Sequence, residues 1–266
     1  MHFILHVPKC AGTTVEHHFA SALGPGYLLA PRWESVVRNF IGNRYDYTPG
    51  DPRLRGVRVV SGHSLSISLK RHFPGREIRQ SVLIREPLGF LLSFYNYRVQ
   101  RHADGHDTAP PSFEAWYRVQ RRNQITRFIL NRYFGQGVPE LYLRSSAARL
   151  DWLEEKLAGF WFVGGHHRAG EMIAGISRDL GIPEVVEDRN VTRSKRVRAA
   201  DLPKALSDRI AGENALDQAL YDRWCDRGWR ADAPRLTTPP PALPRHDQPA
   251  TLLRETVSSI AKRLIR

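Results

Sequence analysis

The sequence predicts an α/β domain of three layers, with a central, mainly parallel sheet and helices on both faces. Short apolar runs of β type alternate along the chain with segments of helical periodicity, the pattern that builds a parallel sheet. No internal repeat or low-complexity segment appears before residue 236. The 266 residues, 41% apolar and 25% charged, suffice for one sizeable core and do not have the composition of a disordered chain.

His2-Phe3-Ile4-Leu5-His6 is an apolar run entering a loop at Val7-Pro8-Lys9, which predicts a strand over 2–6 and a helix over about 13–23. Val57-Arg58-Val59-Val60 predicts a second strand over 57–60, followed by a helix over 64–72. Residues 80–84 predict a third strand. Pro87, favoured at the first helical position, opens a helix over 87–101 with Phe90, Leu91 and Phe94 on its apolar side. Helices follow over 112–131 and 145–157, then a strand over 160–163 and helices over 169–180 and 214–227. Ligands of such sheets sit beyond the C-terminal ends of the strands. The chemistry is therefore expected just after residues 6, 60 and 84.

The folded domain is expected to span 1–232. Residues 233–250, which include the run LTTPPPALPRHDQPA, read as a Pro-rich extended linker. Over 251–266, Leu252, Leu253, Val257, Ile260, Ala261, Leu264 and Ile265 recur at helical spacing, while Arg254, Lys262, Arg263 and Arg266 oppose the single Glu255. This basic amphipathic helix suits docking on protein or peripheral contact with an anionic membrane surface.

With 40 Lys and Arg against 27 Asp and Glu, the chain carries +13 and calls for an anionic partner. No recognisable nucleic-acid motif is present, so nucleic acid is not the expected partner. Two cysteines make no disulfide framework and point to a reducing compartment. The N-terminus has no secretory pattern, and no apolar stretch approaches a membrane span. A cytoplasmic location, peripheral at the inner face of the membrane if the tail binds there, is the expectation.

Residues 6–14, HVPKCAGTT, follow a strand and open a helix. The free N–H groups and positive dipole end of a helix N-terminus suit a phosphate. Thr13 and Thr14 add hydroxyls, and Lys9 adds a mobile charge. The segment fails the nucleoside triphosphate pattern G-x-x-x-x-G-K-[ST], since its Lys precedes its Gly. On these residues alone, an ordinary capped βα turn remains open.

The segment resembles the 5′-phosphosulfate loop of sulfotransferases that use 3′-phosphoadenosine 5′-phosphosulfate (PAPS). It is closest to the carbohydrate enzymes related to heparan sulfate 2-O-sulfotransferase, whose strand ends in H-[IV]-P-K-x-[AG]-G-[ST]-[ST]. The resemblance implies a P-loop-like fold with Lys9 at the phosphosulfate bridge. Lys9, Cys10, Ala11, Gly12, Thr13 and Thr14 would form the loop around the 5′-phosphate, with Cys10 at the variable position.

Residues 82–98, VLIREPLGFLLSFYNYR, are similar to the same family's L-R-[DE]-P strand end, followed by a Ser and an aromatic stretch. That resemblance implies that Arg85 and Ser93 hold the 3′-phosphate, a role that suits the planar Arg fork. Glu86 stands where Asp is commoner in the family, and Glu is a poorer helix cap. Ser61-Gly62-His63 puts an imidazole at a strand end. Sulfuryl transfer to a hydroxyl needs a base, and imidazole titrates near working pH. The related enzymes carry a Gly-His there, which implies His63 as the base, with Glu16 and Glu34 as fallbacks.

Weaker resemblances run further along the chain. NQITRF at 123–128 resembles a segment near the acceptor cleft, and Asn190-Val191-Thr192 resembles a late element beyond which Arg193, Lys195 and Arg196 would reach the nucleotide. The loop over 102–111 is expected to border the acceptor site. Neither its residues His102, Asp104, His106 and Asp107 nor the pair His166-His167 has a metal spacing, and no metal is expected. The implied activity is transfer of a sulfuryl group from PAPS to a carbohydrate hydroxyl, the acceptor being an oligosaccharide, polysaccharide or glycolipid, acidic in view of the charge. The alternatives are a nucleotide-dependent kinase on a P-loop fold and a non-enzymatic polyanion-binding protein.

Overall fold

The computed structural model describes residues 1–30, 45, 47–48, 50–134, 145–184 and 197–230. The linker and tail expected over 233–266 lie outside the described residues.

Among the described residues, six strands form one sheet: β1 (His2–Leu5), β2 (Tyr27–Leu29), β3 (Val59–Gly62), β4 (Arg79–Ile84), β5 (Phe162–Gly165) and β6 (Gly228–Trp229). Their order is β2-β3-β1-β4-β5-β6, parallel throughout except for the antiparallel β5–β6 pair. β1 is central, with His2 opposite Val59 on one side and Arg79 on the other. Every residue of β1, β3 and β5 is buried, as expected where helices cover both faces of a parallel sheet.

The helices are α1 (Gly12–Leu23), α2 (Pro87–Ala103), α3 (Phe113–Arg118), α4 (Gln124–Phe128), α5 (Ser146–Ala158), α6 (Ala169–Leu180), α7 (Lys204–Glu213) and α8 (Ala215–Trp224). α1 packs on α6, and the buried His18 Nε2 lies 2.9 Å from Ser177 Oγ across that contact. α4 and α5 pack on α8, and α2 packs on α7. Among the described residues, no helix is long and apolar enough to cross a membrane.

The structure departs from the sequence expectations in several places. The strands expected over 57–60 and 160–163 lie two residues later. Phe160 still closes the turn after α5, its N–H donating to the Leu157 carbonyl at 2.9 Å, while Gly164 and Gly165 continue the ladder beside β4. The expected helix over 64–72 is a 3₁₀ turn over Ile67–His72, opened by the Ser66 hydroxyl, which accepts from Ser68 N–H at 3.3 Å. The expected single helix over 112–131 is broken. Asn123 takes a left-handed conformation at φ 53° between α3 and α4, and α4 runs on into a π-helical turn over Ile129–Tyr133. The short strands β2 and β6 and the helix α7 had no expectation.

The break at Asn123 has a physical account. Its side-chain oxygen accepts from the N–H groups of Leu216 (3.0 Å) and Asp217 (3.3 Å) at the start of α8. In return, Asn214 accepts from Asn123 N–H at 2.9 Å. The buried Asp217 carboxylate accepts from Ile125 N–H (3.0 Å) and Thr126 N–H (2.8 Å) at the start of α4. Each helix start thus supplies the acceptors that the other's orphan donors need. The NQITRF segment, expected near an acceptor cleft, is in its Asn123, Ile125 and Thr126 a structural joint.

Candidate active site

Three of the expected site segments lie at the C-terminal edge of adjacent strands. The loop after β1 bends through two left-handed non-glycine residues, Lys9 at φ 61° and Ala11 at φ 62°, on either side of Cys10. Such alternation is the backbone form of an N–H concavity for anions, and each left-handed residue costs about 1–2 kcal/mol. Ala11 is the N-cap of α1 and offers no side-chain acceptor to the N–H groups of the first turn. Gly12 is required by its neighbour: a Cβ there would lie 1.7 Å from Cδ2 and 1.8 Å from Nε2 of His6. Thr13 is exposed on the first turn and Thr14 is buried. Cys10 is buried, and burial pushes its thiol up to about 12. It is therefore an inert packing residue.

Arg85 leaves β4 beside this loop. Its Nη1 donates to the Lys9 carbonyl at 3.0 Å, while its Nε is buried with no hydrogen-bond partner among the described residues. The Glu86 carboxylate caps α2, one oxygen accepting from Leu88 N–H at 3.0 Å and the other from Gly89 N–H at 2.7 Å. The longer side chain thus completes the cap at this turn. A Cβ on Gly89 would come within 2.8 Å of that carboxylate and 3.4 Å of Arg85 Nε, so the glycine makes room for both.

Gly89, Ser93 and Tyr97 follow at i, i+4 and i+8 on one stripe of α2, about 12 Å long at 1.5 Å per residue. The Lys9 ammonium rests 4.0 Å from the centre of the Tyr97 ring at one end, and Arg85 lies at the other. Ser93, half-buried, is therefore on the stripe that borders the loop. Burial, and next the Arg85 charge, lower the pKa of Lys9. One turn from Ser93, the Asn96 amide brackets Val197, donating to its carbonyl at 2.8 Å and accepting from its N–H at 3.1 Å. Arg193, Lys195 and Arg196 precede Val197 and lie outside the described residues.

His63 follows β3 directly and is exposed at its end. Gly62, at φ 131°, has the backbone conformation a side chain resists, and a Cβ there would meet Leu29 Cδ1 at 3.1 Å. His63 Nδ1 donates to the His6 carbonyl at 2.8 Å, which places the lone pair of the neutral ring on Nε2. Of the fallback bases, Glu16 is taken up by His6 Nδ1 at 2.6 Å, and Glu34 lies outside the described residues.

The structure adds two residues to the edge. Gly165 pairs with Ile84, so His166 emerges beside Arg85. Burial, followed by the charges of Arg85 and His167, lowers His166 to about 4, which keeps its imidazole neutral. On α8, burial raises the Tyr221 phenol, which also feels Glu86 and Arg85. The rule that placed ligands at strand ends could have flagged His166; nothing in the sequence marks Tyr221. In the 102–111 loop, Asp107 is paired with Arg101 at 2.8 Å, and the Arg101 guanidinium lies 5.9 Å from the Tyr97 ring. This loop is thereby linked to the ring on which Lys9 rests. Among the described residues, no group of three or more His, Cys, Asp or Glu is arranged to hold a metal ion.

Compared with protein-family models, with curated proteins and with solved structures, the chain gives no match.

Proposed function

We propose that this chain is a PAPS-dependent sulfotransferase of P-loop-like, three-layer α/β/α architecture that acts on a carbohydrate hydroxyl. The observation that carries the reading is the junction of Arg85 with the loop after β1. Nη1 holds the Lys9 carbonyl, and Nε is left buried and unmatched. A donor in that state fits an anionic acceptor. PAPS supplies two phosphate groups, and two phosphate-type segments meet here. Lys9, the N–H groups of the first turn of α1, Thr13 and Thr14 would take the 5′-phosphosulfate. Arg85 and Ser93 would take the 3′-phosphate, joined by Arg193, Lys195 and Arg196.

In the reaction, His63 Nε2 takes the proton of the acceptor hydroxyl as the acceptor oxygen bonds to sulfur. The bond from sulfur to the bridging oxygen breaks, and its electron pair stays on that oxygen as 3′,5′-ADP leaves. Lys9 and the loop N–H groups stabilise the charge where it develops, and the rest of the rate comes from positioning. The +13 charge supports an acidic glycan as acceptor. The tail over 251–266 would hold the enzyme at the inner face of a membrane.

A thermal-shift panel of 3′,5′-ADP, AMP and ATP with Mg²⁺ tests the reading. Stabilisation by 3′,5′-ADP well beyond that by AMP is the expected result, since ligand binding to the folded state raises its melting temperature. Stabilisation by ATP with Mg²⁺ and none by 3′,5′-ADP would replace it with the kinase reading.

A further inference from the structure

His6 sits between the loop and the base and touches both. Its carbonyl accepts from His63 Nδ1 at 2.8 Å, and its ring lies against the His63 ring, with centroids 3.8 Å apart and planes 35° apart. Its own Nδ1 donates to Glu16 Oε1 at 2.6 Å. The opposite edge of the ring occupies the space where a side chain on Gly12 would stand. Gly12 and Glu16 are one turn apart on α1, so one helix face grips the His6 ring from two directions. The ring is buried, with 7% of its side-chain surface exposed. A half-turn flip about its Cβ–Cγ bond would replace Nδ1–H with a carbon beside the carboxylate, so Glu16 selects one of two otherwise similar orientations.

We propose that Glu16 and His6 are a positioning pair for His63. Glu16 fixes the rotation of the His6 imidazole. His6, through its ring face and its carbonyl, then fixes the rotation and the tautomer of His63. Because Gly12 belongs to the phosphate-type loop, the pair also sets the base in register with that loop. The inference rests on the reading of His63 as the proton acceptor in sulfuryl transfer.

The test compares the full chain with Glu16→Ala and Glu16→Gln. Nitrogen NMR of imidazole-labelled protein reads the tautomer of His63, assigned by the signal lost in His63→Ala. Release of 3′,5′-ADP from PAPS, with water as acceptor, reads the rate, and calorimetry with 3′,5′-ADP reads donor-site binding. In the wild type, His63 should show a single Nδ1–H tautomer. Glu16→Ala should mix the two tautomers and lower the rate about tenfold or more, as misplacement of a reacting group by an ångström does. Binding of 3′,5′-ADP should stay within about twofold, since loop contacts are kept. Glu16→Gln, whose amide oxygen still accepts from His6, should restore most of the rate and the single tautomer. An unchanged His63 signal in Glu16→Ala, or a Glu16→Gln as impaired as Glu16→Ala, would overturn the pair. A wild type that neither binds 3′,5′-ADP nor cleaves PAPS would sink the sulfotransferase reading, and the tautomer comparison would still decide the positioning.

Discussion

The Arg85 guanidinium donates to the carbonyl of Lys9 at 3.0 Å, joining two residues 76 apart in the chain that follow neighbouring strands. One Arg therefore does two things. It holds the backbone of the loop and, on the proposed reading, keeps its buried and unmatched Nε for an anion.

Arg85→Ala should raise the dissociation constant of 3′,5′-ADP about 10- to 100-fold, since hydrogen bonds to charged groups are worth about 1.5–3 kcal/mol. Calorimetry measures this directly. Unchanged affinity would reduce Arg85 to a brace for the loop.

His63→Ala should lower the rate of 3′,5′-ADP release from PAPS about 10²–10⁴-fold, the range of a positioned base. Binding of 3′,5′-ADP should persist, because the substitution removes none of the groups assigned to the phosphates and leaves His6 held by Glu16. Normal turnover would move the base elsewhere on the edge.

Gly12→Ala places a methyl group inside the His6 ring. The crowding should cost about 1–3 kcal/mol of stability, read as a lower melting temperature, and should weaken 3′,5′-ADP binding as the loop shifts. A variant that melts and binds like the wild type would show that the loop relaxes freely.

The far end of the sheet predicts acid sensitivity. Asp179 is held down to about 2 by its hydrogen bond from His2 and then by Arg79, while burial lowers His2. Both groups bind protons less readily when folded, so each contributes stability at higher pH that is lost on acidification. His2 contributes in full above its ordinary 6.5, and Asp179 above 3.8, its share being lost as pH falls towards about 2. The melting temperature should fall in both windows, and Asp179→Asn should flatten the lower one. An identical profile for Asp179→Asn would remove that carboxylate from the account.

Much of the edge was legible because one rule covers it. Lys9, His63 and Arg85 each follow an apolar run, and ends of parallel strands converge. The order of the strands was not legible, and the link from His6 to His63 depends on it, because β1 and β3 must be neighbours for two imidazoles 57 residues apart to meet. Glu16 looked like a spare base until His6 claimed its carboxylate. Strand β2 has three residues after Gly24-Pro25-Gly26, too few for alternation to show. The break at Asn123 escaped periodicity because its cause is a pair of acceptors more than ninety residues downstream, Asn214 and Asp217.

That reciprocal capping has a consequence for how the chain is made. The first turn of α4 takes its acceptor from Asp217, 92 residues after Ile125. At ribosomal speeds of about 5–20 residues per second, the helix waits about 5–18 s for a carboxylate that has not yet been synthesised. Ile125 in α4 and Ile129 in the turn that follows it are both buried in the finished domain. Asn214 and Asp217 thus tie the completion of α4 to the arrival of α8, the last helix of the described residues.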